Sequence, residues 1–441
     1  MFPATSFCSR LRVGARACAT TAMLFMPTAW ANATAPDHAM VPTLSMVPGS
    51  ALSVEHAMQL AIDRAPLLAA DAARISAASS DARRAGALPD PMLLLGVDNL
   101  TATGPMAGQL GADEMTMRRI GITQDWPSRA KRDARTAQAS ARYDESVLTQ
   151  SATMLAVERA AGLAWVDRWA AETQVQLLAR LHEELERGVK LAEARLRGGE
   201  GSVSELLAAK SARAEHENEM AMAEANLHAA RASLARWVGE ASTDELAAPL
   251  AFDRLPLSAD TLRASLDRQA VVRLWDARSR SAESAVGLAS AEKRPDLSFT
   301  LSYGARSGGL ADMVSFEVGI GLPLFAAGRQ DLDVAARRAE VDALAAEREE
   351  ARRVQAQALE SELALWQGQA ETIERYRKTL LPLAQDRVRV ALAAYSGGAD
   401  IEPWLTARRE AVQTNLQYSI ALAEQAKRWV LFATLLPKEK P

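Results

Sequence analysis

Few residues in this chain have the types and spacing that chemistry needs. The five histidines (His38, His56, His182, His216 and His228) are scattered, and no pair has the spacing of a zinc site. Two sit in a repeated His-Ala-Met tripeptide, His38 with Met40 and His56 with Met58. Met106, Met115 and Met117 fall in or near one later loop. Imidazole and thioether are soft ligands that suit copper or silver, but a methionine-containing linker gives the same pattern with no metal bound. Cys8 and Cys18 lie in the N-terminal segment, so the processed chain has neither thiolate nor disulfide chemistry. There is no Gly-rich phosphate loop, no Ser-His-Asp set and no paired carboxylates in a context that would tune them. Runs such as Glu347-Arg348-Glu349-Glu350 read as solvated helix faces. The expectation is a protein with no catalytic site, no cofactor and no metal of its own.

The most specific polar pattern occurs at two glycine pairs. Gly198-Gly199-Glu200-Gly201-Ser202-Val203-Ser204-Glu205-Leu206 ends one helix and starts another. Glycine past the last turn can take the left-handed conformation that ends a helix, and Ser202 with Glu205 fits a capping box. Gly397-Gly398-Ala399-Asp400-Ile401-Glu402-Pro403-Trp404 repeats the arrangement, with Asp400 as the expected cap.

The elements that carry these turns are long. From Ser128 to Arg197 the pattern stays helical, a rod of roughly 105 Å at the helical rise. Arg329 to Ser396 repeats it, interrupted only by Pro382. Leu178, Leu181, Leu185, Val189, Ala192 and Leu196 step by three or four, as do Leu359, Leu363, Trp366, Ala370, Ile373, Tyr376, Leu380 and Leu383. Both runs read as coiled-coil seams. Shorter helices are expected over Val54–Ala85 and Ser258–Ala291, closed off by Pro89 and Pro295.

Between the helices lie alternating segments. In Leu297–Gly304, Leu297, Phe299, Leu301 and Tyr303 alternate with Ser298, Thr300, Ser302 and Gly304. In Val314–Leu322, Val314, Phe316, Val318, Ile320 and Leu322 alternate with polar residues or glycine. Met92–Leu100 and Thr116–Gln124 form a less regular pair. Period two predicts strands with one apolar face, in a membrane barrel or in a soluble half-buried hairpin.

The two halves correspond at an offset of 198 residues: Gly121-Ile122 with Gly319-Ile320, Lys131 with Arg329, and Val203, Leu207 and Ala209 with Ile401, Leu405 and Ala407. Pro89-Asp90 matches Pro295-Asp296 a few residues out of that register. The expected organisation is a signal peptide over 1–31, a linker over 32–51, and repeats over 52–245 and 246–441. Arg10, Arg12 and Arg16 precede the apolar stretch Ala17–Trp30, and small residues at Ala29, Ala31 and Ala33 suit cleavage.

No apolar run in the body of the chain is long enough for a membrane helix, and a net charge of -4 lacks the footprint of a nucleic-acid binder. Four strands cannot close a barrel, for which about eight is the lower limit. Open edges in lipid leave backbone groups unpaired. If the strands span a membrane, copies must therefore associate.

The duplicated helix-strand-strand-long helix-helix layout, with the glycine turns and the signal peptide, resembles the TolC family of outer-membrane efflux proteins over about Leu52–Leu436. The resemblance implies a mainly α fold with a small β-barrel: a homotrimer with a twelve-stranded barrel in outer-membrane lipid and a long periplasmic helical barrel. Phe299, Tyr303, Phe316, Val318 and Ile320 would then be barrel residues. Gly198, Gly199, Ser202, Glu205, Leu206, Gly397, Gly398, Asp400, Glu402 and Trp404 would mark the periplasmic tip, where an adaptor (membrane fusion) protein docks and the tunnel is gated. The family's acidic residue two before a Leu-x-Ala is matched by Glu205, whereas Pro403 stands there in the second half. Pro89-Asp90-Pro91, and Gly121-Ile122-Thr123-Gln124-Asp125-Trp126-Pro127 leading to Lys131-Arg132, resemble the heavy-metal branch represented by CzcC. That implies passive conduction of heavy-metal cations from an inner-membrane pump of the RND type. Drug efflux or type I protein secretion are alternatives within the duct reading. A periplasmic coiled-coil adaptor or scaffold and a lyase-type helical enzyme are the rivals outside it.

Overall fold

The structure, a computed structural model, describes residues 51–248, 252–307 and 309–436. The expected signal peptide, the linker up to residue 50, both cysteines and the first His-Ala-Met copy lie outside the described residues.

The first half begins with α1 (Val54–Arg64) and α2 (Pro66–Arg84). The expected single helix over Val54–Ala85 is broken at Ala65, which is extended at φ -66° and ψ 113°. A residue before proline is pushed out of the helical region, and Pro66 then starts the next helix without needing its missing N–H. The second half opens with the same kind of break. α5 (Ala259–Ala264) and a short 3-10 turn are separated from α6 (Ala270–Ala291) by buried, extended Gln269.

Strands β1 (Met92–Asp98), β2 (Met117–Trp126), β3 (Leu297–Arg306) and β4 (Met313–Ile320) form one antiparallel sheet in chain order. β2 and β3 join the halves over ten residue pairs, from Met117 opposite Arg306 to Trp126 opposite Leu297. β1 and β4 are the two edges.

The long helix α3 (Arg129–Arg197) runs 69 residues without a break, and α4 (Val203–Val238) returns along it. In the second half, α7 (Gln330–Arg375) and α8 (Leu381–Ser396) are joined by one π-helical turn, Tyr376–Leu380, and α9 (Glu402–Ala433) returns. Leu178, Leu181, Leu185, Val189 and Ala192 are buried, as the seam requires. The second seam holds through Leu359, Leu363 and Trp366, but Leu380 and Leu383 are exposed. A π turn adds one residue per turn and rotates everything beyond it. The stripe therefore resumes one position later, through Ala384, Val388, Ala391 and Tyr395. Pro382 explains the turn, because it offers no donor to the preceding carbonyls and its ring crowds them.

Besides a small cluster of Ala61, Val157 and Ala161, three apolar clusters of the described residues hold the rods. One gathers α1, α3, α4 and α9 around Trp165, Val166, Leu234 and Val430. Another packs Leu262, Leu359, Trp366 and Phe432. The third lies at the glycine turns.

Candidate functional site

The register of the sheet decides which side chains share a face. Leu93 and Leu95 stand opposite Ile122 and Ile120, which in turn face Leu301 and Tyr303, and these face Phe316 and Val314. Phe299 with Val318 and Leu297 with Ile320 extend the same side. One face is thus apolar across all four strands except for Arg118 and Gln124 near the two ends of β2, and it is bare: Leu95 is 72% and Phe316 68% exposed. The opposite face carries Asp98, Arg119, Thr123, Thr300, Ser302 and Glu317. Its groups pair among themselves, with Arg119 Nε 3.1 Å from Asp98 and the Thr123 and Thr300 hydroxyls 2.8 Å apart. A bare apolar face this wide is costly in water and suits lipid, while the polar face suits an aqueous lumen. The five expected barrel residues Phe299, Tyr303, Phe316, Val318 and Ile320 all lie on the apolar side. Trp126 stacks edge-on to Phe299 at the helical end of the sheet, where amphipathic rings favour a membrane interface.

A clamp sits where sheet meets rod. Lys131 in the first turn of α3 is only 5% exposed, and its Nζ donates to Asp296 Oδ2 at 2.7 Å and lies 3.2 Å from Glu292. Asp296 Oδ1 also accepts the Ser128 N–H at 3.0 Å, so a residue of the second half caps the long helix of the first. Burial alone would push the Lys131 ammonium down, and its bonds to Asp296 and Glu292 more than offset that, holding it above its ordinary value. For Asp296, burial pushes up, while the bonds from Lys131 and Ser128 win and hold the carboxyl below the usual range.

At the far end of the rods the two turns have the same geometry. Gly199 has φ +77° and Gly398 φ +99°. The amide of Glu200 donates to Arg195 O, and that of Ala399 to Ala394 O, the six-to-one bond of a Schellman turn. Ser202 and Glu205 form the expected capping box. Glu205 is 9% exposed, its carboxylate holding the Ser202 N–H at 3.2 Å. Gly198, Gly199 and Ser202 are exposed and Leu206 half-buried. In the second turn Gly397, Gly398, Asp400 and Glu402 are exposed.

Asp400 does not cap α9. The cap position falls on Ile401, with no side-chain bond. Ile401 is fully buried in the tip cluster, which fixes where the helix begins, and Pro403 removes one of the donors a cap would serve. Trp404 is buried, stacked on Tyr395 with ring centres 6.3 Å apart. Its ring approaches α3 so closely at Gly188 that a Cβ there would lie 2.9 Å from it.

Sequence reasoning missed three tip residues. Besides Gly188 and Tyr395, Arg195 spans the two turns: its guanidinium lies 4.6 Å over the Tyr395 ring and donates to the carbonyls of Glu200, Tyr395 and Ala399. The available signal was a cation in the last turn of a helix, where unpaired carbonyls collect.

The histidines are less scattered than their numbers suggest. His182 on α3 and His216 on α4 stack with ring centres 5.9 Å apart, and His216 Nε2 bonds the Leu178 carbonyl at 2.9 Å. Among the described residues, no three His, Cys, Asp or Glu converge in a way that could hold a metal ion. Met58 of the second His-Ala-Met copy is core, while Met106 and Met115 are exposed in the first hairpin loop.

A sheet with one lipid-type face, one polar face and two open edges, carried on paired rods about 100 Å long, defines the subunit of an oligomeric membrane channel. The family model described as outer membrane efflux protein matches residues 57–240 and 262–436, and the chain belongs to that family. Among solved structures, CusC superposes with a TM-score of 0.72 at 18% identity, covering 87% of this chain and 92% of that one. VceC of Vibrio cholerae gives 0.70 at 19% identity, with 87% and 95% covered. The open-state MtrE channel of Neisseria gonorrhoeae gives 0.70 at 17%, with 87% and 88% covered. No curated protein matches the chain. Family membership makes this an outer-membrane efflux protein, and the superpositions show that its fold is the one seen in outer-membrane channels.

Proposed function

We propose that this chain, as a homotrimer, is the exit duct of a tripartite efflux system, conducting heavy-metal cations passively from an inner-membrane RND-type pump through a periplasmic adaptor. The observation that carries the duct is the two-faced sheet with unpaired edges, since three copies would supply twelve strands and leave no edge in lipid. The metal assignment is supported by the motifs Pro89-Asp90-Pro91 and Gly121–Pro127 with Lys131-Arg132, which resemble those of the CzcC branch. Adaptor docking at the tip is supported by exposed Val203 and Leu207 beside Gly198-Gly199, an apolar pair that joins no core cluster among the described residues.

The test is cross-linking in intact cells, then outer-membrane purification of the tagged protein and identification of what comes with it. The expected result is a trimer joined to an adaptor and a proton-driven metal pump, with metal sensitivity on deletion. A drug-type pump or an ATP-driven exporter would keep the duct and overturn the metal cargo. Recovery from the soluble periplasm with no pump would overturn the duct.

A further inference from the structure

The clamp between Lys131 and Asp296 joins the first half's rod to the second half's strand. The internal duplication supplies a second set of the same residues. Arg329 occupies the place of Lys131 at the start of the second long helix, and Asp90 occupies the place of Asp296 just before β1. Within one chain these two cannot repeat the clamp, because β1 and β4 are opposite edges of the sheet. Both side chains are exposed and make no hydrogen bond or ion pair among the described residues. We propose that Asp90 and Arg329 of the partner subunit form, across the interface between copies, the clamp that Asp296 and Lys131 form within the chain.

The inference rests on the oligomeric duct reading, and the sheet gives it an independent check. Transferring the observed β2–β3 register to β4 and the partner's β1, with the offsets of the duplicated motifs, sets Val318 opposite Val97 and Ile320 opposite Leu95. All four residues are exposed and lie on the apolar face. A register slipped by one residue would set Val318 opposite Gly96 or Asp98 and carry Leu95 and Val97 to the other face, so the parity agrees with closure of sheet and clamp together. The second clamp is leaner than the first. Gly86 stands where Glu292 supplies the second carboxylate, so a single acid faces the cation. Arg84, Arg135 and Arg142 line the cleft beside Asp90 without bonding it, and are the cations it would turn to if the partner's arginine were not its target.

The experiment uses the full chain, purified in detergent, with Asp90→Arg and Arg329→Asp made singly and together, and reads the temperature at which the oligomer dissociates. The wild type is scored first: absence of an oligomer would sink the duct reading itself. Given a wild-type trimer, each single reversal lowers the dissociation temperature and the double reversal recovers most of the loss. A double variant no better than the worse single overturns the clamp. The register is tested by Val97→Cys with Val318→Cys, in a Cys8→Ser, Cys18→Ser background. Oxidation should link subunits into a covalent ladder, because directly opposed Cβ atoms lie about 5 Å apart. Replacing Val318→Cys by Glu317→Cys moves the thiol to the other face and should abolish the ladder. Equal linking by both pairs, or by neither, overturns the register.

Discussion

Lys131 shows what a single ion pair can do at a joint. Its ammonium is out of solvent, so removing one partner leaves a charge that water cannot reach. Asp296→Asn keeps the shape but loses the charge-assisted bond, and Glu292 remains to compensate in part. The expected cost is about 2 kcal/mol, read from denaturant unfolding. The sign of the pH dependence follows from the shifts. Asp296 is held below its ordinary 3.8, so its contribution is complete above that value and is lost as pH falls through the lower folded value. Lys131 is held above 10.5, so its contribution is complete below 10.5 and is lost as pH rises through the folded value. Stability from this clamp should be flat between pH 5 and 9 (a window bounded by these two shifts) and fall outside it, whereas Asp296→Asn should remove the acid-side fall.

Arg195 acts at the same scale. A fork of donors over an aromatic ring is something lysine cannot reproduce. Arg195→Lys should loosen the second turn, seen as faster hydrogen exchange at the Gly398 and Ala399 amides, while Arg197→Lys, whose guanidinium bonds its own helix at the Glu193 carbonyl, should leave them unchanged.

Between elements, fit at close approach decides the packing. Gly188 lets the Trp404 ring lie against α3, and the ring is hemmed in by Tyr395. Gly188→Val should therefore cost about 1–3 kcal/mol through overpacking, despite replacing a helical glycine. An unchanged unfolding midpoint would mean that the ring swings aside freely. Such contacts explain the limits of reading this chain as a string. Element type was legible wherever period and length agreed: the strand faces, the 69-residue helix and the Ser202–Glu205 box follow from local pattern. The break at Ala65-Pro66 was missed, although the rule on residues before proline was signal enough to place it. Gly188 gave no signal, because its partner lies 216 residues away. The seam through Leu380 and Leu383 failed because one inserted residue at the π turn shifts the phase without altering the apolar count. Asp400 failed as a cap because burial of its neighbour Ile401, a tertiary fact, set the helix start.

For the whole molecule, the sheet is the part whose surroundings matter most. Its two faces demand different solvents, and one strand supplies adjacent residues to each: Phe316 on the apolar side, Glu317 on the polar side. Both are exposed, and they are next to each other in sequence. An account in which both faces of the sheet are simply solvated would make arginine about equally harmless at either place. A membrane barrel does not. Phe316→Arg puts a charge near the middle of β4 into hydrocarbon, at about 2–4 kcal/mol for a residue at the bilayer midplane, and each copy in the oligomer bears that cost. Glu317→Arg turns a charge over in water, beside the polar residues of the lumen face. The measurement is the yield of heat-resistant oligomer recovered from the outer membrane. It should collapse for Phe316→Arg and stay near wild type for Glu317→Arg. Equal yields from the two variants would mean that the apolar face does not meet lipid, however well the register sorts the side chains.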